Sequence, residues 1–159
     1  MSRAKNTPRH PAVADPIYNS VQIAKLINRV MKDGKKSTAR TQVYGALEII
    51  KAKTKNPPLE VFEASIKNIT PQMEVRSRRV GGAAYQVPTP VRPSRGFSLA
   101  TRWLIGEARK RPNKQFHTFA EKLAAEMLDA LNNEGGAIQK KLTAHRQAEA
   151  NRAFAHFRW

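Results

Sequence analysis

The sequence predicts a mainly α-helical domain, a bundle of about six helices with an extended β-hairpin arm between the third and fourth. Three observations carry this. Apolar residues recur at helical spacing through most of the chain. The stretch Glu74–Phe97 breaks that rhythm and alternates instead, on both sides of Gly81-Gly82. The chain is also very basic: 29 Lys and Arg stand against 12 Asp and Glu, a formal charge of +17 over 159 residues. Solubility needs far less, so a polyanionic partner is implied. The length suits one domain, residues 1–159.

Residues 1–15 read as a flexible basic arm. Arg3, Lys5, Arg9 and His10 lie among prolines and small polar residues that cannot build a core. The segment lacks the apolar centre of a secretory signal. Ser20 then caps a first helix with Ile23, Ile27, Val30 and Met31 on one face, ended by Asp33-Gly34. Lys35 and Lys36 follow in a loop beside Lys32. Ala39, Val43, Ala46, Leu47 and Ile50 mark the second helix. Asn56-Pro57-Pro58 stops it and opens the third, striped by Leu59, Phe62, Ile66 and Ile69.

The hairpin is expected over residues 72–90. Met73, Val75, Ser77 and Arg79 alternate with Glu74, Arg76, Arg78 and Val80; the glycine pair makes the turn, and Ala84 to Val87 return. Pro88, Pro90 and Pro93 are expected to stop the pairing. No acid occurs between Glu74 and Glu107, while Arg76, Arg78, Arg79, Arg92, Arg95 and Arg102 all do. A lone hairpin is marginal in water, so this one leans on the body or is held by a partner.

In the fourth helix Leu99 and Trp103 face the core. Arg95, Arg102 and Arg109, seven apart, form an outward stripe that Lys110, Arg111 and Lys114 extend. The fifth helix is marked by Phe116, Phe119, Leu123, Met127 and Leu131 and ends at Asn132–Gly136. The C-terminal helix and tail, residues 137–159, are poor in large apolar residues and carry Lys140, Lys141, Arg146 and Arg152. This helix is expected at the surface. Tyr85, Phe154, Phe157 and Trp159 either stack on unpaired bases or pack on the body.

No catalytic set converges. His10, His117, His145 and His156 are scattered and share no metal-ligand spacing. There is no cysteine, and Gly81-Gly82 lacks the strand–loop–helix setting and lysine of a phosphate loop. The basic groups are too dispersed for one recognition helix in a DNA groove. They suit a folded RNA, whose phosphates approach from several directions.

Several runs then carry a resemblance: D-P-I-Y-N-S (Asp15–Ser20), M-K-D-G-K-K-S-T-A (Met31–Ala39), M-E-V-R-S-R-R-V-G-G-A-A-Y-Q-V-P (Met73–Pro88), L-A-T-R-W-L (Leu99–Leu104) and A-E-A-N-R-A-F-A-H-F-R-W (Ala148–Trp159). In order and spacing they resemble the bacterial-type small-subunit ribosomal protein seven family, over almost the whole chain. Val91–Ser94, without a glutamate, and the longer Asn113–Thr118 depart from its usual pattern. The resemblance implies a non-enzymatic, cytoplasmic constituent of the small subunit, with no cofactor, small-molecule substrate or membrane. It would bind 16S ribosomal RNA directly and nucleate the 3′ major domain, the head. It would lie near exit-site tRNA and mRNA, touching ribosomal proteins nine and eleven.

Carried onto this chain, the ribosomal RNA contacts would be Arg3, Lys5, Arg9, Lys35, Lys36, Arg76, Arg78, Arg79, Arg92, Arg95 and Arg102. The neighbouring basic positions Lys32, Arg109, Lys110, Arg111 and Lys114 join them as candidates. Gly81, Gly82, Ala83, Ala84 and Tyr85 at the tip, with Lys140, Lys141, Arg146, Asn151 and Arg152, would face tRNA, mRNA or protein eleven.

Overall fold

The computed structural model describes residues 13–157. Six α-helices and a two-stranded hairpin follow in the order α1 Val21–Val30, α2 Lys36–Lys53, α3 Pro58–Ile69, β1 Met73–Val80, β2 Ala83–Pro90, α4 Pro93–Lys110, α5 Phe119–Leu131 and α6 Gly136–Ala150. A 3-10 turn, Arg152–Phe157, follows α6. The architecture is the helical bundle with a hairpin between its third and fourth helices that the sequence predicts.

The periodic apolar residues build one core. Ile23, Leu26 and Ile27 of α1 meet Val43, Leu47 and Ile50 of α2 and Phe62 and Ile69 of α3 there, all buried. α5 lies at the centre of the bundle, touching α2, α3, α4 and α6. Its Leu123, Ala124 and Met127 have no solvent exposure. The start of α5 is later than the apolar spacing suggests. Thr118 accepts from the Glu121 N–H while the Glu121 carboxylate returns to the Thr118 N–H, so a capping box fixes the first turn there. Phe116 is left in the preceding loop, where its ring centroid lies 5.5 Å from the Arg111 guanidinium.

Three further expectations change. Lys36 opens α2 rather than lying in a loop. Asp15, the last residue assigned to the arm, is 4% exposed and tied to the body. Pro88 and Pro90 do not end the pairing: Val75 lies opposite Pro88 and Met73 opposite Pro90. The reason is ladder alternation. The Val91 N–H donates to the Gln72 carbonyl at 2.9 Å, so odd-numbered residues of β2 point their N–H groups at β1 and the prolines fall on the outward side. At the turn Gly81 and Gly82 have φ of 58° and 89°, the double left-handed geometry of a type I′ hairpin. Gly96 is small for a different reason. A Cβ there would meet Thr70 Cγ2 at 2.8 Å, and the Thr70 hydroxyl is held by the Ile66 carbonyl at 2.7 Å.

One ionic node joins three helices. Arg111, just past α4, donates two hydrogen bonds to Glu126 Oε2, at 2.8 and 2.6 Å, and one to Asp129. Glu126 Oε1 accepts the Ala137 N–H in the first turn of α6 at 2.9 Å. Glu126 is 2% exposed and the Arg111 side chain 18%. Burial acts to lower the guanidinium pKa, but the bonds to Asp129 and Glu126 outweigh it and raise the value. Glu126→Ala would strand the Ala137 amide and leave the buried side of the cation with Asp129 alone. The expected loss is about 3 kcal/mol, the scale for one partner removed from a buried pair. Lys110→Ala, at the exposed pair with Glu107, should cost less than about 1 kcal/mol. Urea unfolding of the two variants checks this contrast, and equal losses would contradict it.

Candidate nucleic-acid interface

α1 and α4 touch along the bundle surface. The exposed side of α1 carries Lys25, Asn28 and Arg29, opposite its buried Ile23, Leu26, Ile27 and Val30. On α4, Arg95, Ser98, Arg102 and Arg109 follow one another at steps of three, four and seven and share a stripe. The two helices are stitched where these faces meet. Arg29 Nη1 donates to the Ser98 carbonyl at 3.2 Å, Lys25 Nζ lies 5.9 Å from the Phe97 ring centroid, and Arg109 Nη2 donates to the Val30 carbonyl at 3.1 Å. Beyond α1, Lys32 and Lys35 border a cleft with Arg109 and Phe119. A continuous run of cations thus crosses α1, the α1–α2 turn and α4.

Two carboxylates temper this surface. Glu74, 8% exposed, binds Arg76 at 2.5 Å and Arg95 at 3.2 Å. It therefore ties the hairpin base to the first turn of α4. Glu107, the one acid on α4, pairs with Lys110 at 2.7 Å. Arg92, Arg102 and Lys114 are exposed.

At the hairpin, Arg78 lies opposite Tyr85 and Arg79 opposite Ala84. As neighbours in a strand, the two arginines leave opposite faces of the ribbon. The tip, Gly81 to Ala84, is exposed. Tyr85 is not a free stacking platform. Its ring centroid lies 5.4 Å from that of Phe154 and 5.0 Å from that of Phe157. Phe154 and Phe157 of the tail thus pack on the hairpin, the second of the alternatives left by their sequence. The base of the ribbon is held by α6, where His145 Nε2 accepts the Gln72 N–H at 3.0 Å. Lys140 and Arg146 of α6 are exposed, as is Arg152 beyond it, whereas Lys141 reaches the Asn68 carbonyl at 2.7 Å. Asn151 ends α6 and donates to the Gln147 carbonyl.

Not every candidate belongs to this surface. Arg3, Lys5, Arg9 and Trp159 lie outside the described residues. Arg111 differs from its basic neighbours: its guanidinium is held by Glu126 and Asp129 and is mostly buried. Lys25 and Arg29 are the reverse. Sequence spacing draws attention to the apolar side of α1, yet its acid-free outer face is the available signal.

Fold and surface together define a class, a nucleic-acid-binding protein made of a helical body, a basic face and a braced hairpin. The chain belongs to the family described as Ribosomal protein S7p/S5e, whose pattern matches residues 2–152. It is similar to proteins named "Small ribosomal subunit protein uS7". The one from Dictyoglomus thermophilum is 58% identical over 157 residues, 99% of this chain and 98% of the relative. Those from Caldicellulosiruptor bescii and Caldanaerobacter subterraneus subsp. tengcongensis are 56% and 55% identical over the full length of both chains. The chain is therefore a structural constituent of the small subunit of the bacterial, cytoplasmic ribosome, an RNA-binding protein rather than an enzyme. Among the described residues no helix is long and apolar enough to cross a membrane.

Two predictions concern the braced hairpin. Replacing Phe154 and Phe157 together by Ala should speed amide exchange at the tip on the order of tenfold, since each aromatic pair contributes about 0.5–1.5 kcal/mol. Exchange in α1 to α5 should not change. Acid should loosen the base. Burial and then Lys141 hold the His145 pKa below its ordinary 6.5. The unfolded chain then takes up the proton first as pH falls. The hydrogen bond to Gln72 is intact above about pH 6.5 and breaks as pH drops through the lower folded value. The thermal midpoint of the native chain should fall relative to His145→Gln from about pH 7 to pH 5. A constant difference would refute the role of the ring.

Proposed function

We propose that this chain is a primary binder of 16S ribosomal RNA that nucleates folding of the 3′ major domain, the head of the small subunit. The observation that carries the reading is the division of cations among elements. The α1–α4 face, the Lys35-Lys36 step at the start of α2 and the hairpin arginines stand on separate elements of one folded body. Such a body meets phosphates of different RNA helices at once and offsets the repulsion that keeps them apart. The N-terminal arm, with Arg3, Lys5 and Arg9, adds contacts of its own. The hairpin tip and α6 face the exit-site tRNA, the mRNA path and ribosomal protein eleven, and the body also meets protein nine. These assignments rest on the family and, for Gly81 to Ala84, Lys140, Arg146 and Arg152, on exposure.

The test is binding to the isolated 3′ major domain across a salt series, with unrelated structured RNA and duplex DNA as competitors. Specific binding should survive competition and weaken steeply with salt. Replacing Arg79 and Arg102 by Ala should reduce affinity and lower the salt slope by about 1 for each phosphate no longer neutralised. The thermal midpoint should hold, because both side chains are exposed. Equal affinity for every polyanion would leave only the charge correctly read.

A further inference from the structure

The cleft where the α1–α2 turn and α2 meet Arg109 of α4 and Phe119 of α5 is more than a patch of positive charge. Its volume is about 480 Å³, the size of a small-molecule site rather than of a groove for a duplex. Lys32, Lys35 and Arg109 line it, all exposed. No Asp or Glu lines it.

Two further side chains give this cleft a chemical preference. Phe119 is only partly buried although it packs against the core, and Arg109 Cζ lies 6.0 Å from its ring centroid. Arg109 is itself held by the Val30 carbonyl at 3.1 Å. The cleft thus contains an aromatic ring and a tethered guanidinium, the two kinds of surface on which unpaired bases stack. Gln42 of α2 also lines it. Its Oε1 accepts the Ala120 N–H at 3.0 Å, which fixes the sense of the amide and leaves Nε2 as a donor. Apart from that engaged oxygen and the Thr38 hydroxyl, the polar side chains of the lining only donate.

We propose that the cleft takes one unpaired guanine nucleotide of the RNA, with its base against Phe119 and Arg109, an acceptor on its edge at Gln42 Nε2, and its phosphate at Lys32 and Lys35. A purine offers the larger stacking face. Guanine places two acceptors, O6 and N7, side by side, which suits a lining of donors, whereas adenine sets an amine beside its N7. The inference rests on the ribosomal RNA reading above and adds base recognition to it. Phosphate contacts position an RNA; a base contact selects it.

The test titrates the full chain with fluorescently labelled single-stranded RNA pentamers, UUGUU, UUAUU, UUCUU and UUUUU, at low salt. The series is repeated with Phe119→Leu and with Gln42→Met, neither of which changes charge, and the thermal midpoint serves as fold control. UUGUU should bind at least about fivefold more tightly than the other three, the lower end of what one base contact discriminates. Phe119→Leu should weaken UUGUU about fivefold through lost stacking. Gln42→Met removes the donor and should bring UUGUU to within about twofold of UUAUU. If Gln42→Met does not fold, Phe119→Leu decides alone. Equal affinity for the four pentamers, binding by none of them, or a guanine preference that the folded variants keep would each overturn the proposal. The ribosomal reading is tested apart from this, by affinity for the 3′ major domain. Specific binding there with no guanine preference would remove the cleft assignment only.

Discussion

The Glu126 carboxylate is the point on which much of the molecule depends. One oxygen holds Arg111 at the end of α4 and the other holds the start of α6 through the Ala137 N–H. α6 has few buried residues of its own, with Ala137, Ile138 and Ala148 the buried positions. A helix with so little apolar surface cannot set its angle by packing alone. Directional bonds at its first turn supply what the small core face lacks. α6 in turn holds the hairpin base through His145, and the tail beyond it covers Tyr85. The position of the hairpin thus depends, two steps away, on a carboxylate in the middle of α5.

Charge shapes the rest. At +17 the chain repels itself, and compactness must be won elsewhere. The acids are placed for this. Glu126 and Asp129 hold helix ends together, Glu121 caps α5, and Glu74 bridges Arg76 to Arg95. Each of these carboxylates serves a structural bond. That leaves the outer faces of α1 and α4 to cations.

Much of this is legible in the sequence. The buried stripe of α2 matches its apolar spacing, as do Phe62, Ile66 and Ile69 of α3 but not the partly exposed Leu59, because burial follows period when one face of a helix meets a core. The hairpin is legible from alternation and the glycine pair. Its prolines mislead, because a two-stranded ribbon has an outward edge where a missing N–H costs nothing. Phe116 fits the apolar spacing of α5, whereas the Thr118–Glu121 box decides the boundary by local bonds. Arg111 resembles its basic neighbours in sequence. Only the fold brings Glu126 and Asp129, fifteen and eighteen residues away, to its guanidinium. Spacing along one helix cannot reveal ion pairs made between helices, so the surface is more legible than the node beneath it.

The outward prolines of β2 have one more consequence. An open strand edge invites another strand, and a protein carrying a solitary two-stranded ribbon exposes such edges at all times. Pro88 and Pro90 remove two successive donors from the free side of β2. A stray peptide or a second copy aligned there finds no donor at either position. The same residues that look like an interruption of the strand make that half of the ribbon edge a poor place for another strand to pair.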